Sequence, residues 1–109
     1  MHVQEMMKMT FEKVASVKDL EPDRIIGVEA KGKEIAVANL DGKYYAIGNR
    51  CTHMGCMLSD GTLKEEKITC PCHGSTFDVK TGNVVNGPAK KPEPAYETKI
   101  EGEQVLVNV

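Results

Sequence analysis

The sequence has no excess of basic residues, and this absence excludes one broad class of function. Lys and Arg number 14 and Asp and Glu number 16, so the formal net charge is −2 and the pI is about 5.9. A nucleic-acid-binding surface needs a stripe of Lys and Arg to neutralise phosphates. We therefore expect no nucleic-acid partner.

Long apolar runs are also absent. A membrane-spanning helix needs about 18 or more consecutive apolar residues, and no segment comes near this length. The start of the chain has no apolar core of the kind found in secretory signals. We therefore expect a soluble protein without a membrane anchor, located in the reducing cytoplasm. In that compartment, four cysteines are more often metal ligands than a disulfide framework.

The length and composition fit one small globular domain. The chain has 109 residues, of which 40% are hydrophobic and 28% are charged. A chain of this size can bury roughly two-thirds of its unfolded surface, so one modest core is expected. We predict a single domain over residues 1–109. The Met-rich residues 1–9 have no clear period and predict a flexible start.

Alternating and β-branched segments predict an all-β fold. Residues 25–30, 34–40 and 43–47 are rich in Ile, Val, Ala and Tyr, while residues 96–100 and 104–109 alternate in polarity. Asp41-Gly42, between two apolar segments, is the strongest hairpin signal. Residues 14–20 could hold one short helical turn. We predict a small antiparallel sandwich or partly open barrel.

Residues 48–88 break this pattern. This loop-rich, glycine-punctuated region carries all four cysteines and two of the three histidines. A compact domain rarely contains so much irregular chain without a reason, and a bound metal centre would supply one. We therefore predict that residues 48–88 form a metal-binding subdomain.

Two short loops in this region contain the candidate ligands. They read C-T-H-M-G-C at 51–56 and C-P-C-H-G-S at 70–75. A set of two Cys and two His suits tetrahedral zinc, so a zinc-stabilised binding module is one interpretation. Zinc patterns usually pair like ligands, however, whereas each loop here mixes Cys and His. Only one residue separates Cys51 from His53, which is unusually close for two ligands of a single ion. In a binuclear cluster, the Cys and the His of each loop can bind different metal ions.

The two loops resemble the Rieske iron–sulfur motif, C-x-H…C-x-x-H, at all four positions. Beyond the loops, the chain from about residue 11 has the size and strand order of a free-standing Rieske-type ferredoxin. The resemblance implies a [2Fe–2S] cluster, with Cys51 and Cys70 bound to one iron and His53 and His73 bound to the other.

The same resemblance implies a function. Two thiolates leave the oxidised cluster less negative than four would, so Rieske potentials lie at about −150 to +300 mV, against about −400 mV for plant-type ferredoxins. We expect a one-electron carrier rather than an enzyme. A reductase would donate the electron, and the acceptor would be an oxygenase or a respiratory-type partner. Docking would be transient, and the carrier would be a monomer.

Positions around the motif carry further implications of the resemblance. Cys56 and Cys72 match a pair that forms a disulfide in cytochrome bc-type Rieske proteins, although many ferredoxins of oxygenase systems lack it and two reduced thiols are the alternative. Ser75 matches a serine that donates to a bridging sulfide. Phe77 stands where those proteins have a tyrosine that donates to a ligand sulfur, so that hydrogen bond is missing. Met54 could shield the cluster or could simply pack within its loop.

One more segment follows from the resemblance. Residues 87–89, Gly-Pro-Ala, resemble the proline loop that covers the cluster in this family. The comparison places Pro88 beside the cluster. Ser75 and the cysteine pair favour a higher potential, whereas Phe77 weakens that interpretation.

Overall fold

The computed structural model describes residues 11–52, 55–72 and 74–109, and these residues form an all-β fold. Within these ranges the helical elements are two 3₁₀ turns, Val17–Asp19 and Leu58–Asp60, and the first is the short turn predicted within residues 14–20. The strands are β1 (Phe11–Ser16), β2 (Arg24–Ala30), β3 (Lys33–Leu40), β4 (Lys43–Gly48), β5 (Thr62–Lys64), β6 (Lys67–Thr69), β7 (Thr76–Asp78), β8 (Val84–Asn86), β9 (Ala95–Tyr96), β10 (Thr98–Glu101) and β11 (Gln104–Asn108). The predicted flexible start, residues 1–9, lies outside the described residues.

The strands form three antiparallel sheets. Their strand orders are β1-β11-β10, β2-β3-β4-β9 and β5-β6-β7-β8. These sheets are not closed into a barrel, so the predicted antiparallel all-β fold, a sandwich or partly open barrel, is confirmed. The third sheet lies entirely within residues 48–88, and its strands are only three residues long.

Tight turns join the strands of the second sheet. Asp41 and Gly42 connect β3 to β4 with φ angles of 55° and 90°, and Leu40 pairs with Lys43 across the turn. Positive φ at both central residues defines a type I′ turn, whose twist matches that of the flanking strands. The predicted Asp41-Gly42 hairpin is therefore confirmed.

Strand β3 is buried on both faces and separates two hydrophobic cores. Ile35 and Val37 lie in the core shared with β1 and β11, whereas Ala36 and Ala38 lie in the core that includes β6 and β7. Successive side chains of a strand point to opposite faces, which explains this division. The small Ala side chains let the third sheet and its loops pack closely against β3.

Residues 96–100, which the sequence analysis described as an alternating segment, are divided between two strands. Strand β9 ends at Tyr96 and pairs with β4, whereas β10 begins at Thr98 and pairs with β11. Glu97 lies between them, and its carbonyl oxygen accepts the N–H of Asn108 at 2.9 Å. The alternation of polarity defines the two faces of a strand but not its partner. The chain uses this segment to pass from one sheet to another.

Candidate metal centre

The two cysteine-containing loops share one backbone arrangement. In each loop, the N–H of the first residue donates to the carbonyl of the sixth, and the N–H of the fifth donates to the carbonyl of the first. The pairs are Cys51–Cys56 (2.8 Å) and Gly55–Cys51 (2.7 Å) in the first loop, residues 51–56, and Cys70–Ser75 (2.7 Å) and Gly74–Cys70 (3.2 Å) in the second loop, residues 70–75. Each loop is thus closed by its own main chain.

A glycine at the fifth position makes this closure possible. Gly55 and Gly74 have φ angles of 79° and 80°. A Cβ built on either residue would meet nothing within 4 Å, so the left-handed backbone and not a lack of space favours glycine. The sequence contains this signal, since each glycine follows its cysteine by four residues. The sequence analysis did not use it.

The first cysteine of each loop is buried. Cys51 is 3% exposed and Cys70 is 2% exposed, and both belong to the core around Ile68. The residues that follow them, Thr52 and Pro71, are exposed. Each loop therefore starts in the core and turns outward to solvent. The predicted site residues His53, Met54 and His73 lie outside the described residues.

A disulfide joins the two loops. Cys56 and Cys72 are bonded, with their Cα atoms 6.4 Å apart. The Sγ atom of Cys70 lies within 4.8 Å of both disulfide sulfurs. A disulfide sulfur is not a thiolate, whereas Cys51 and Cys70 take no part in a disulfide. The donor set therefore offers one buried thiol from each loop, which fits the two cysteine ligands of a Rieske cluster.

Ser75 connects the second loop to the predicted proline loop. Its side chain is fully buried, and Oγ accepts the N–H of Ala89 at 2.9 Å. A hydroxyl that accepts one hydrogen bond still has a proton to donate. Ala89 directly follows Pro88, which is exposed. Phe77 is fully buried opposite Ile68 on β6, so it packs the core and offers no donor.

An ion pair fastens the first loop to β3. Arg50 donates from Nε and Nη2 to the two carboxylate oxygens of Glu34, the second contact being 3.0 Å, and from Nη1 to the carbonyl of Gly55 at 3.0 Å. The hydrogen bond from Arg50 lowers the pKa of Glu34, and the same contact raises the pKa of Arg50. No short sequence motif predicts this contact, because the two residues are 16 positions apart.

Glu93 is a second functional candidate that the sequence analysis missed. Burial raises its pKa to about 7, while the backbone of Thr52 acts in the opposite direction. Its Oε2 atom is buried and has no hydrogen-bond partner among the residues that the structure describes. In the sequence, a lone Glu between two prolines resembles an ordinary solvated loop residue.

Together, the fold and the loops define a class: a small all-β protein with two matching loops, each of which begins at a buried cysteine thiol that could bind a metal. The Rieske [2Fe–2S] domain matches residues 10–104 of the sequence. The chain belongs to the Rieske [2Fe–2S] domain family.

Individual relatives agree with this membership. The chain is 39% identical over 85 residues to the ferredoxin component of the naphthalene 1,2-dioxygenase system of Pseudomonas aeruginosa, covering 78% of this chain and 82% of the relative. The ferredoxin of carbazole 1,9a-dioxygenase from Nocardioides aromaticivorans IC177 has a similar structure, with a TM-score of 0.87, 33% identity, and coverage of 91% of this chain and 97% of that one.

A third match is a chain from a complex. The structure contains reduced oxygenase and oxidised ferredoxin of carbazole 1,9a-dioxygenase, and the matched chain has a TM-score of 0.86 and 32% identity, with 93% of this chain and 94% of that chain covered. The predicted family, the Rieske-type cluster and the role as an electron carrier rather than an enzyme are confirmed. These findings favour the iron–sulfur cluster over the zinc alternative. Within the described ranges, no helix has the length and apolar character needed to cross a membrane.

Proposed function

We propose that this chain is the ferredoxin of an oxygenase system, carrying single electrons from a reductase to a Rieske-type oxygenase. The observation that carries the proposal is the pair of matching loops, each with one buried thiol at its base and an exposed tip. The similarity to ferredoxin components of dioxygenase systems supports the choice of acceptor. The third match, a chain from a complex of oxygenase and ferredoxin, supports direct docking between such proteins.

The proposed ligands are Cys51 and Cys70 on one iron and His53 and His73 on the other. All four match the family motif, and the disulfide removes the other two cysteines from the set of candidates. When bound, the cluster supplies reversible one-electron reduction at a potential in the Rieske range. The chain positions the ligands through its two closed loops and buries both thiols.

The residues around the ligands have supporting roles in this proposal. The Cys56–Cys72 disulfide holds the two loops together and limits the access of water to the centre. The Ser75 hydroxyl, which accepts from the N–H of Ala89, would be able to donate its proton to a cluster sulfur. Pro88 covers the centre, and Met54 shields it. Phe77 provides core packing in place of a hydrogen-bond donor.

The proposal extends to organisation and setting. We infer that residues 48–88 act as the cluster-binding subdomain of one domain. We also infer that the carrier works as a monomer in the cytoplasm and forms short-lived complexes. Weak electron-transfer complexes bury less than about 1,200 Å² in total, which permits fast release.

The test is a direct electron transfer in the absence of oxygen. The reduced protein, checked for its Rieske absorption spectrum and its iron and sulfide content, is mixed with the oxidised oxygenase component of the naphthalene or carbazole system. We expect reoxidation of one equivalent of carrier per Rieske centre of the oxygenase. A carrier with a complete spectrum that transfers electrons to a c-type cytochrome but to neither oxygenase would contradict the proposed acceptor.

A further inference from the structure

Glu93 is held in a fixed place behind the first loop. Its N–H donates to the carbonyl of Gly82 at 2.8 Å. A Cβ on Gly82 would lie 2.1 Å from the carbonyl oxygen of Glu93, so the two backbones are in close contact. Glu93 is only 5% exposed, although its neighbours Pro92 and Pro94 are exposed. The chain therefore turns this one side chain inward.

The space for its carboxyl group comes from a second glycine. A Cβ on Gly48 would lie 2.5 Å from Oε1 of Glu93 and 3.0 Å from Cδ of Pro94. Gly48 is the last residue of β4 and precedes Cys51 by three positions. The φ angle of Gly48 is not in the left-handed region, so space is what requires glycine here. The carboxyl thus lies against the segment that leads directly into the first loop.

The segment that carries Glu93 also contacts the first loop itself. Oγ1 of Thr52 donates to the carbonyl of Lys91 at 2.7 Å, and the backbone of Thr52 acts against burial by lowering the pKa of Glu93. Thr52 is the residue between the proposed ligands Cys51 and His53. The segment that carries Glu93 is therefore fastened to the first loop through the side chain of Thr52.

Among the residues that the structure describes, no basic side chain forms an ion pair with Glu93. Glu93 lies in a cleft of about 400 Å³ that also contains Glu29, Lys33, Glu34, Arg50 and Tyr96. Arg50 is engaged by Glu34 and the Gly55 carbonyl, and Lys33 lies over the ring of Tyr96 with Nζ 5.7 Å from its centroid.

Core packing does not account for a carboxyl group in this position. Buried polar atoms normally have a hydrogen-bond partner, and a buried charge normally has a counter-charge. Oε2 of Glu93 has neither among the described residues. A buried carboxyl group without a partner lowers the stability of the fold. An effect on the neighbouring metal centre therefore explains the presence of Glu93 more directly than core packing does.

We propose that Glu93 is a positioning residue of the cluster centre, fixing the peptide between Cys51 and His53 and placing a negative charge that lowers the reduction potential. This inference depends on the proposed ligand set. A fixed negative charge disfavours the addition of an electron nearby, and the interaction is strong where water is excluded. Removal of the charge should therefore favour the reduced state.

The experiment compares two substitutions in the cluster-loaded protein. Glu93→Gln removes the charge and keeps an oxygen that can accept a hydrogen bond, whereas Glu93→Asp keeps the charge on a shorter side chain. Reduction potentials are measured by spectroscopic redox titration near pH 8.5, where the carboxyl of the wild type is ionised. For Glu93→Gln we expect the equilibrium constant for reduction to rise about tenfold, which is about 59 mV for a one-electron couple. Glu93→Asp should remain close to the wild type.

Two comparisons separate a charge effect from a general change of structure. Glu21→Gln removes the same charge from an exposed turn before β2 and should leave the potential unchanged. Near pH 5.5, where Glu93 is protonated in the wild type, the difference between Glu93→Gln and wild type should shrink to less than half. The other titratable groups of this cleft, Glu29, Lys33, Glu34, Arg50 and Tyr96, are present in both proteins.

Each outcome has a defined meaning. An unchanged potential in Glu93→Gln near pH 8.5, with an intact Rieske spectrum, would overturn the role of Glu93 and leave the proposed function in place. An equal shift in Glu21→Gln would also overturn it, as would a shift of the same size at both pH values. If Glu93→Gln fails to fold, the test uses Glu93→Asp. A tenfold difference between Glu93→Asp and wild type in the equilibrium constant for reduction would contradict the charge effect. A wild-type protein without a Rieske spectrum would instead refute the ligand set.

Discussion

The base of the molecule and its cluster-binding side are stabilised in different ways. The base, formed by the sheets β1-β11-β10 and β2-β3-β4-β9, has strands of up to eight residues and a core of branched side chains such as Ile35 and Val107. The third sheet has three-residue strands, and the two cysteine-containing loops beside it are each closed by two main-chain hydrogen bonds and are joined by a disulfide. Periodic burial of apolar residues maintains the base, whereas a few specific contacts maintain the metal centre.

The strongest test of this contrast removes a proposed ligand. His73→Ala should abolish the Rieske cluster, because one iron loses a ligand and the second loop loses its connection to the metal. Iron and sulfide analysis, with the visible spectrum, measures the loss. His2→Ala is the matched control, since His2 belongs to no ligand pattern, and it should keep full cluster content. A His73→Ala protein with unchanged iron, sulfide and spectrum would refute the assignment.

Removal of the disulfide should weaken the metal centre and leave the base intact. A disulfide that closes a loop of about 15 residues stabilises a protein by about 3 kcal/mol, and Cys56 and Cys72 are 16 positions apart. The double change to Ser should cost less than this, because the cluster joins the same loops. We expect faster loss of the visible spectrum on heating, while far-UV circular dichroism of the sheets persists.

The base provides a matched control for this result. Ile35→Ala should lower the free energy of unfolding by about 2–5 kcal/mol, because it leaves a cavity in the fully buried core. Below the unfolding transition it should leave the visible spectrum unchanged. Mass spectrometry of the alkylated protein should show Cys56 linked to Cys72. Four free thiols in protein never exposed to a reductant would refute the disulfide.

The pKa of Glu93 predicts how stability depends on pH. Burial raises this pKa from 4.5 to about 7, so the folded state binds the proton more tightly than the unfolded state. The contribution of Glu93 to stability is therefore greatest below about pH 4.5, falls as pH rises and levels off above about pH 7. Glu93→Gln has no carboxyl group to titrate, so it does not lose this stability as pH rises. Its free energy of unfolding relative to that of the wild type should therefore increase by about 2 kcal/mol between pH 5 and pH 8. Denaturant unfolding at both pH values measures it, and a constant difference would contradict it.

The smallest expected effect belongs to Ser75. Ser75→Ala should lower the reduction potential by roughly 40 mV, because a hydrogen bond to a charged sulfur that is worth about 1 kcal/mol more in the reduced state is lost. The variant also leaves the buried N–H of Ala89 without its acceptor. Unfolding should therefore be measured with the potential. A destabilised protein with an unchanged potential would assign Ser75 to the connection with Ala89 alone.

The base could be predicted from the sequence more fully than the site. Residues 25–30, 34–40 and 43–47 correspond to β2, β3 and β4, because β-branched runs and a Gly turn define hairpins locally. The break at Glu97 could not be predicted, since it depends on which sheets the flanking strands join. The loop motifs indicated the ligand types through their spacing alone.

The contacts that organise the site are different in kind. The ion pair of Arg50 with Glu34 and the enclosure of Glu93 by Gly48 and Gly82 join residues that are far apart in the chain. No periodicity or short motif marks such contacts. They arise only when β3, β4 and the proline-rich segment have been brought together. Sequence patterns therefore predicted the ligand loops, but not the residues that hold them.

The matching closure of the two loops has a consequence for the speed of electron exchange. Each loop is fixed by two main-chain hydrogen bonds that do not involve the metal. The described backbone of the two loops therefore has little freedom to rearrange when the charge of the centre changes. Groups that are already in place cost no reorganisation at the moment of reaction. A low reorganisation energy lets a carrier exchange electrons rapidly even when the difference in potential between its partners is small.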